Sequence, residues 1–167
     1  MIVLGIDPGT IVTGYGLVKS HLQTSRQELL DYGCIRPPAK AKISKRYHII
    51  FDAVEELIRS YKPDALSVET QYVDKNVQSA MKLGMARGVI ILAATRNAVP
   101  VFEYAPSKAK KAVVGTGRAS KEQVQGMIQL LLNLSSPPEP HDAADALAMA
   151  ICHLQTTQYQ MNLGIQL

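Results

Sequence analysis

Cysteine is nearly absent: Cys34 and Cys152 are the only two among 167 residues, and neither stands at a metal-ligand spacing. A disulfide scaffold and a thiolate metal site are thereby excluded. Both side chains are expected to be small buried hydrophobes in a reducing compartment. Low-complexity segments are also missing, and 47% hydrophobic residues describe an ordinary globule. The apolar start follows no cationic region and precedes no small-residue cleavage site, so no leader is expected. The longest apolar helical run, near 89–94, is flanked by Arg87 and Arg96 and reads as too short to span a bilayer. A cytoplasmic location without a membrane partner follows. Nor is the charge extreme, at +4 with a pI near 9.1. Such an excess alone does not mark a nucleic-acid binder, so the distribution of charge matters more. At 167 residues the chain fits one domain, expected over 1–155 with a polar tail over 156–167.

What is present begins with the first twenty residues. Ile2, Val3, Leu4 and Ile6 form a short apolar run, the mark of a strand buried on both faces. Asp7 closes that run, Pro8, Gly9 and Gly14 turn the chain, and 15–18 reads as the antiparallel partner. A third strand is expected over 28–35, ended by Pro37 and Pro38. Apolar residues at helical spacing predict a helix over Ile43–Tyr61, followed by a strand from Ala65 that ends at Glu69. A long helix over 76–97 carries Ala80, Gly84 and Gly88 at four-residue spacing, a nearly bare stripe. Such a stripe implies that another backbone comes close, either the domain's own sheet or a second subunit. A fifth strand over 99–104, a short helix over 106–114, and a helix opened by the Ser120 and Gln123 capping box follow. The last helix is expected over His141 to about Leu154, with a fraying, weakly patterned tail beyond Gln155. Three strands, helix, strand, helix, strand and then helices predict an α/β fold, a mixed five-stranded sheet flanked by helices.

Asp142 and Asp145 are three apart in this last helix, so their carboxylates share a face. The helix dipole explains acids in a first turn. It does not explain Asp7 and Glu69, each ending an apolar strand, where a lone carboxylate is costly to desolvate. Asp7 alone also reads as a turn-initiating Asp before Pro, and the IDPGT turn resembles the first phosphate-binding loop of the actin and sugar-kinase ATPases. If the first and fourth strands are neighbours, all four carboxylates converge and raise one another's pKa values. Hard divalent cations relieve such crowding, and two of them can promote an in-line phosphoryl displacement. The residues therefore point to a metal-dependent phosphodiesterase.

Taken in order, GIDPGTIVTGYG, SVETQYVDKN, ARGV, PVFEYAPSKAKKAVVGTGRASKEQVQ and HDAADALAMAI resemble the RuvC family of Holliday-junction resolvases, over about residues 1–153. The resemblance implies a ribonuclease-H-like fold, a homodimer, and symmetric Mg²⁺-dependent nicking of two strands of a four-way DNA junction in recombination and repair. It implies two Mg²⁺ per site, for which Mn²⁺ can substitute, held by Asp7, Glu69, Asp142 and Asp145 as catalytic ligands. A branch-migration motor is an implied partner. Lys110 and Lys121 match functional lysines of the family, and Tyr72 matches an aromatic that meets unstacked bases, where the plain alternative is a loop-anchoring Tyr. Lys75 and Asn76 lie in the same loop, at phosphate reach. Five cations and no acid between 108 and 121 (Lys108, Lys110, Lys111, Arg118 and Lys121) read as a phosphate track beside the acids, or alone as a solvated face. His141 is either an accessory residue or an exposed first-turn side chain. The alternatives are another ribonuclease-H-like nuclease acting on RNA or RNA–DNA hybrid, a junction-binding protein without catalysis, and an ATPase fragment, for whose second half 167 residues leave no space.

Overall fold

Residues 1–21, 26–70 and 76–163 are described by the structure, a computed structural model. Tyr72 and Lys75 lie outside the described residues. The first three strands, β1 (Ile2–Asp7), β2 (Thr13–His21) and β3 (Arg26–Ile35), form the antiparallel meander the sequence predicts. β4 (Ala65–Glu69) runs parallel to β1, with Val3 opposite Ala65 and Ile6 opposite Val68. β5 (Val101–Tyr104) is parallel to β4. The order β3-β2-β1-β4-β5 puts β1 and β4 side by side at the centre.

Alternation along β1 divides the core. Leu4 and Ile6 face α1 (Ile43–Tyr61) and α2 (Val77–Arg96), joined there by Leu17, Leu66, Ile50, Val54 and Ile90. Val3 faces the other side, where α3 (Pro106–Val114), α4 (Lys121–Leu131) and α5 (His141–Asn162) pack. A central strand is apolar throughout because both faces are covered, and Val3, Leu4 and Ile6 are fully buried.

α5 is the core helix of its face. Its buried residues are mostly small, with Ala143, Ala144, Ala146, Ala148 and Ala150 all at most 3% exposed. Alanine removes little surface from water, so such a helix gains mainly by coming close and making dense contact. Glycines in the sheet allow this. A Cβ built on Gly5 would stand 2.0 Å from the Ala146 carbonyl oxygen, and one on Gly14 would stand 1.9 Å from that of Asp142. The helix therefore rests directly on the backbones of β1 and β2.

Several expectations are corrected. α5 continues to Asn162, so the polar stretch after Gln155 is mostly helix, with Thr157 buried and the Thr156 hydroxyl donating to the Cys152 carbonyl at 2.8 Å. Cys152 is buried, but Cys34 is only partly so. Asp142 lies in the first turn of α5 and Asp145 in the second, so the dipole accounts for one acid and not for the pair. α2, with 20 residues and a mean hydropathy of 1.2, is long and apolar enough to cross a bilayer by length and composition, contrary to the expectation drawn from 89–94. Its mid-helix Arg87 is engaged by protein groups, and Ala86, Ile90, Ala93 and Ala94 are buried in the core. Within the small-residue stripe, Gly88 does not make the expected close approach: it is exposed, and nothing lies within 4 Å of a Cβ built on it. Asn76 is occupied as the N-cap of α2, its side chain accepting from Ser79 N–H at 3.0 Å.

Candidate active site

Parallel neighbours end on the same edge of a sheet, so Asp7 and Glu69, the last residues of β1 and β4, emerge together. β1 turns away through a short loop pinned by Thr13, whose buried hydroxyl accepts from Gly9 N–H at 3.2 Å and donates to the Gly9 carbonyl at 2.7 Å. The start of α5, laid on Gly14, brings Asp142 and Asp145 to that edge. Four carboxylates from three elements thus share one region.

Their electrostatics report the crowding. Burial first, then the charges of Glu69, Asp145 and Asp142, push Asp7 up to about 7, against a partial offset from Lys121. Glu69 is raised by burial and by Asp145, with Lys110 and Lys121 opposing. Lys121 Nζ stands 3.6 Å from Asp145 Oδ2, and Lys110 donates to the Ala119 carbonyl at 3.0 Å. Ser120 and Gln123 form the expected reciprocal cap, which holds Lys121 at the first position of α4. A cation there opposes the helix dipole, and proximity to the carboxylates offsets the cost.

The structure therefore brings together Asp7, Glu69, Asp142, Asp145, Lys110 and Lys121. It does not bring Lys108 to them. Lys108 Nζ lies over the Tyr104 ring, 4.6 Å from its centroid, and its charge bears on Cys152 and His153. Lys111 and Arg118 are exposed. His141 is exposed at the first position of α5, and its charge is felt by Glu122 of α4. Tyr72 and Lys75 fall outside the described residues. Cys34, expected only as a small buried hydrophobe, borders the site: burial raises its thiol pKa, and Asp142 and Asp7 add to the rise against Arg36. Only the pairing of β3 with β2, Cys34 opposite Gly14, could have shown this.

As they stand, no three His, Cys, Asp or Glu side chains among the described residues are arranged to hold a metal ion. The donor set nevertheless fits one in its chemistry. Four carboxylates offer only oxygen ligands, suited to a hard divalent cation, and the raised pKa values of Asp7 and Glu69 show negative charge that Lys110 and Lys121 do not fully neutralise.

A family model described as Crossover junction endodeoxyribonuclease RuvC matches residues 3–153. The chain belongs to the RuvC family. It is 63% identical over 155 residues to the crossover junction endodeoxyribonuclease RuvC of Protochlamydia amoebophila (strain UWE25), covering 93% of this chain and 91% of that protein. The structure of Thermus thermophilus RuvC superposes with a TM-score of 0.86 at 32% identity, covering 95% of this chain and 96% of that one. A structure of the Thermus thermophilus protein in complex with a Holliday junction substrate gives a TM-score of 0.85 at 30% identity, with 98% and 97% covered. The sheet and its flanking helices are accordingly the ribonuclease-H-like α/β fold of the RuvC resolvases. Nucleases of this family depend on a metal.

Proposed function

We propose that this chain is a Holliday-junction resolvase: a homodimer that hydrolyses one phosphodiester bond in each of two strands of a four-way DNA junction, with Mg²⁺ as cofactor. The observation that carries the reading is the meeting of Asp7, Glu69, Asp142 and Asp145 at one sheet edge, with Asp7 held at about 7. Asp7 and Glu69 would hold one ion, and Asp142 and Asp145 would complete the site of the second. Mn²⁺ substitutes for Mg²⁺. Bound divalent ions supply Lewis-acid polarisation of the phosphate and a lower pKa for bound water.

The protein's own groups do the rest. Lys110 and Lys121 neutralise the non-bridging phosphate oxygens, and the carboxylate pair on α5 orients the attacking water. Water adds to phosphorus as a bridging P–O bond breaks, and the departing oxygen takes up a proton. Lys108, Lys111, Arg118 and Lys75 contact the DNA backbone beyond the scissile phosphate. Tyr72 stacks on a base opened at the crossover. His141, facing Glu122, serves as an accessory group outside the ligand set. The enzyme acts in the cytoplasm beside a branch-migration motor.

Incubating wild type and Asp7→Asn with a synthetic mobile junction, with and without Mg²⁺, tests the reading. Symmetric nicks from the wild type alone, with both proteins binding, are expected. Binding without nicks in Mg²⁺ would make this a junction-recognition protein. Cleavage of RNA–DNA hybrid in preference to the junction would make it another nuclease of the same fold.

A further inference from the structure

Arg87 lies midway along α2 with its side chain 19% exposed, below the edge where Glu69 emerges. Its Nε donates to the Glu69 backbone carbonyl at 3.2 Å, and its guanidinium pairs with the Glu103 carboxylate on β5 at 2.5 Å. The β1–β4 register ends at Ile6 and Val68. The Glu69 carbonyl is thus one residue beyond the last strand pair on that side, and Arg87 supplies its donor. The N–H of the same peptide unit, on Thr70, donates to the Tyr104 carbonyl at 2.9 Å. Both polar groups of the 69–70 peptide are therefore held, one by α2 and one by β5. Fixing that plane fixes the backbone torsion at Glu69, and with it the direction in which the carboxylate leaves the strand.

We propose that Arg87 is a positioning residue for the carboxylate of Glu69: it acts through the 69–70 peptide to hold that ligand ready for a divalent ion. The proposal rests on the reading of Glu69 as a metal ligand. An ion pair with Glu103 alone would anchor α2 to β5 and would leave the Glu69 carbonyl untouched. The planar guanidinium reaches the Glu69 carbonyl through Nε and the Glu103 carboxylate through Nη2, two nitrogens held in a fixed fork, whereas a lysine brings all its donors from one nitrogen. Partners that orient a metal ligand matter to affinity nearly as much as the ligand does.

The test compares full-length wild type, Arg87→Gln, Arg87→Lys, Glu103→Gln and Asp7→Asn. Three quantities are measured: the Mg²⁺ concentration giving half-maximal thermal stabilisation, single-turnover nicking of a four-way junction, and junction binding in EDTA. Arg87→Gln is expected to raise the Mg²⁺ midpoint by about ten-fold or more and to slow nicking by a similar factor at fixed Mg²⁺. Its binding in EDTA stays within about two-fold of wild type. Arg87→Lys falls between, and Glu103→Gln, which keeps the bond to Glu69, stays near wild type in midpoint. Should Arg87→Gln fail to fold, the contrast of Arg87→Lys with Glu103→Gln decides. A wild-type midpoint in Arg87→Gln (or in Arg87→Lys where only that variant folds) overturns the proposal. So does a Glu103→Gln shift as large as that of the Arg87 variant, which would make Arg87 a plain brace. Equal Mg²⁺ responses of wild type and Asp7→Asn overturn the metal-ligand reading itself, and the proposal with it.

Discussion

A carboxyl group held at about 7 is half protonated at neutral pH, and this has consequences for folding as well as for chemistry. Asp7 has an ordinary value of 3.8, and burial with three neighbouring acids raises it. The folded protein thus binds this proton more tightly than the unfolded chain does. The penalty for ionising Asp7 is absent below about 3.8, grows as pH rises, and is complete above about 7. At ~1.4 kcal/mol per unit the full cost is on the order of 4 kcal/mol. Asp7→Asn is therefore expected to abolish nicking while raising metal-free stability at pH 8 by up to about 4 kcal/mol, and at pH 5 by less than half of that. Denaturant melts at the two pH values check this. His153 titrates in the opposite sense. Burial first, then the charge of Lys108, lower it from 6.5 to about 4, and it lies fully buried with Tyr104 Oη 2.8 Å from Nδ1. Its stabilising contribution is complete above about 6.5 and is lost as pH falls to about 4, an effect of about 3 kcal/mol. In His153→Leu the slope of stability between pH 6.5 and 4 should flatten. The Tyr104 hydroxyl, which also hydrogen-bonds Thr156, loses one of its two partners, at a cost of about 1 kcal/mol at pH 7.

Among the elements, the seating of α5 on the sheet decides whether the four acids meet. Gly14 lies beneath the Asp142 carbonyl, and a methyl group there would sit 1.9 Å from that oxygen, so the helix must lift or tilt. Gly14→Ala should cost about 3 kcal/mol, the upper range for overpacking, and should reduce nicking about 100-fold even where the protein remains folded. A melt and a single-turnover assay separate the two effects. The acids themselves stood out in the sequence because Asp7 and Glu69 end otherwise apolar strands, where a lone carboxylate is costly to desolvate. The meander, the order of elements, and the capping box of α4 were legible for similar reasons, since period, turn residues and cap chemistry act locally. The glycine seat was not, because its meaning depends on which helix crosses those strands. Sequence pattern placed the close approach at Ala80, Gly84 and Gly88 instead, whereas Gly88 faces outward. Lys108 and Lys110 could not be told apart in a run of cations. Two positions along a helix turn the side chain by about 200°, so α3 sends one to Tyr104 and the other to the acids. The helical character of 156–162 was hidden because glutamine and threonine carry no apolar period, although Thr157 is buried.

For the molecule as a whole, the question is what covers the outer face of α2. Val77, Met81, Met85 and Leu92 are 61%, 58%, 55% and 55% exposed, and they recur at helical spacing with the bare Gly88 among them. Large apolar side chains aligned along one helix differ from hydrophobes scattered singly, and such a stripe marks an interaction surface. A four-way junction has approximate two-fold symmetry, so an isologous dimer can present two active sites to two equivalent strands. In the proposed homodimer a second copy of α2 would cover this stripe, and methionines pack readily in a self-complementary contact. Met81→Glu places a charge in the middle of the stripe. In a symmetric interface each substitution enters twice, close to its own copy, so desolvation and like-charge repulsion add. Sedimentation should show wild type as a dimer and Met81→Glu as a folded monomer whose junction affinity falls by at least about ten-fold. Residual nicking by that monomer should cut the two strands independently, so single-nicked junctions accumulate where the wild type yields paired cuts. A monomeric wild type, or a Met81→Glu dimer with paired cuts, would place the junction's two-fold match elsewhere on the protein.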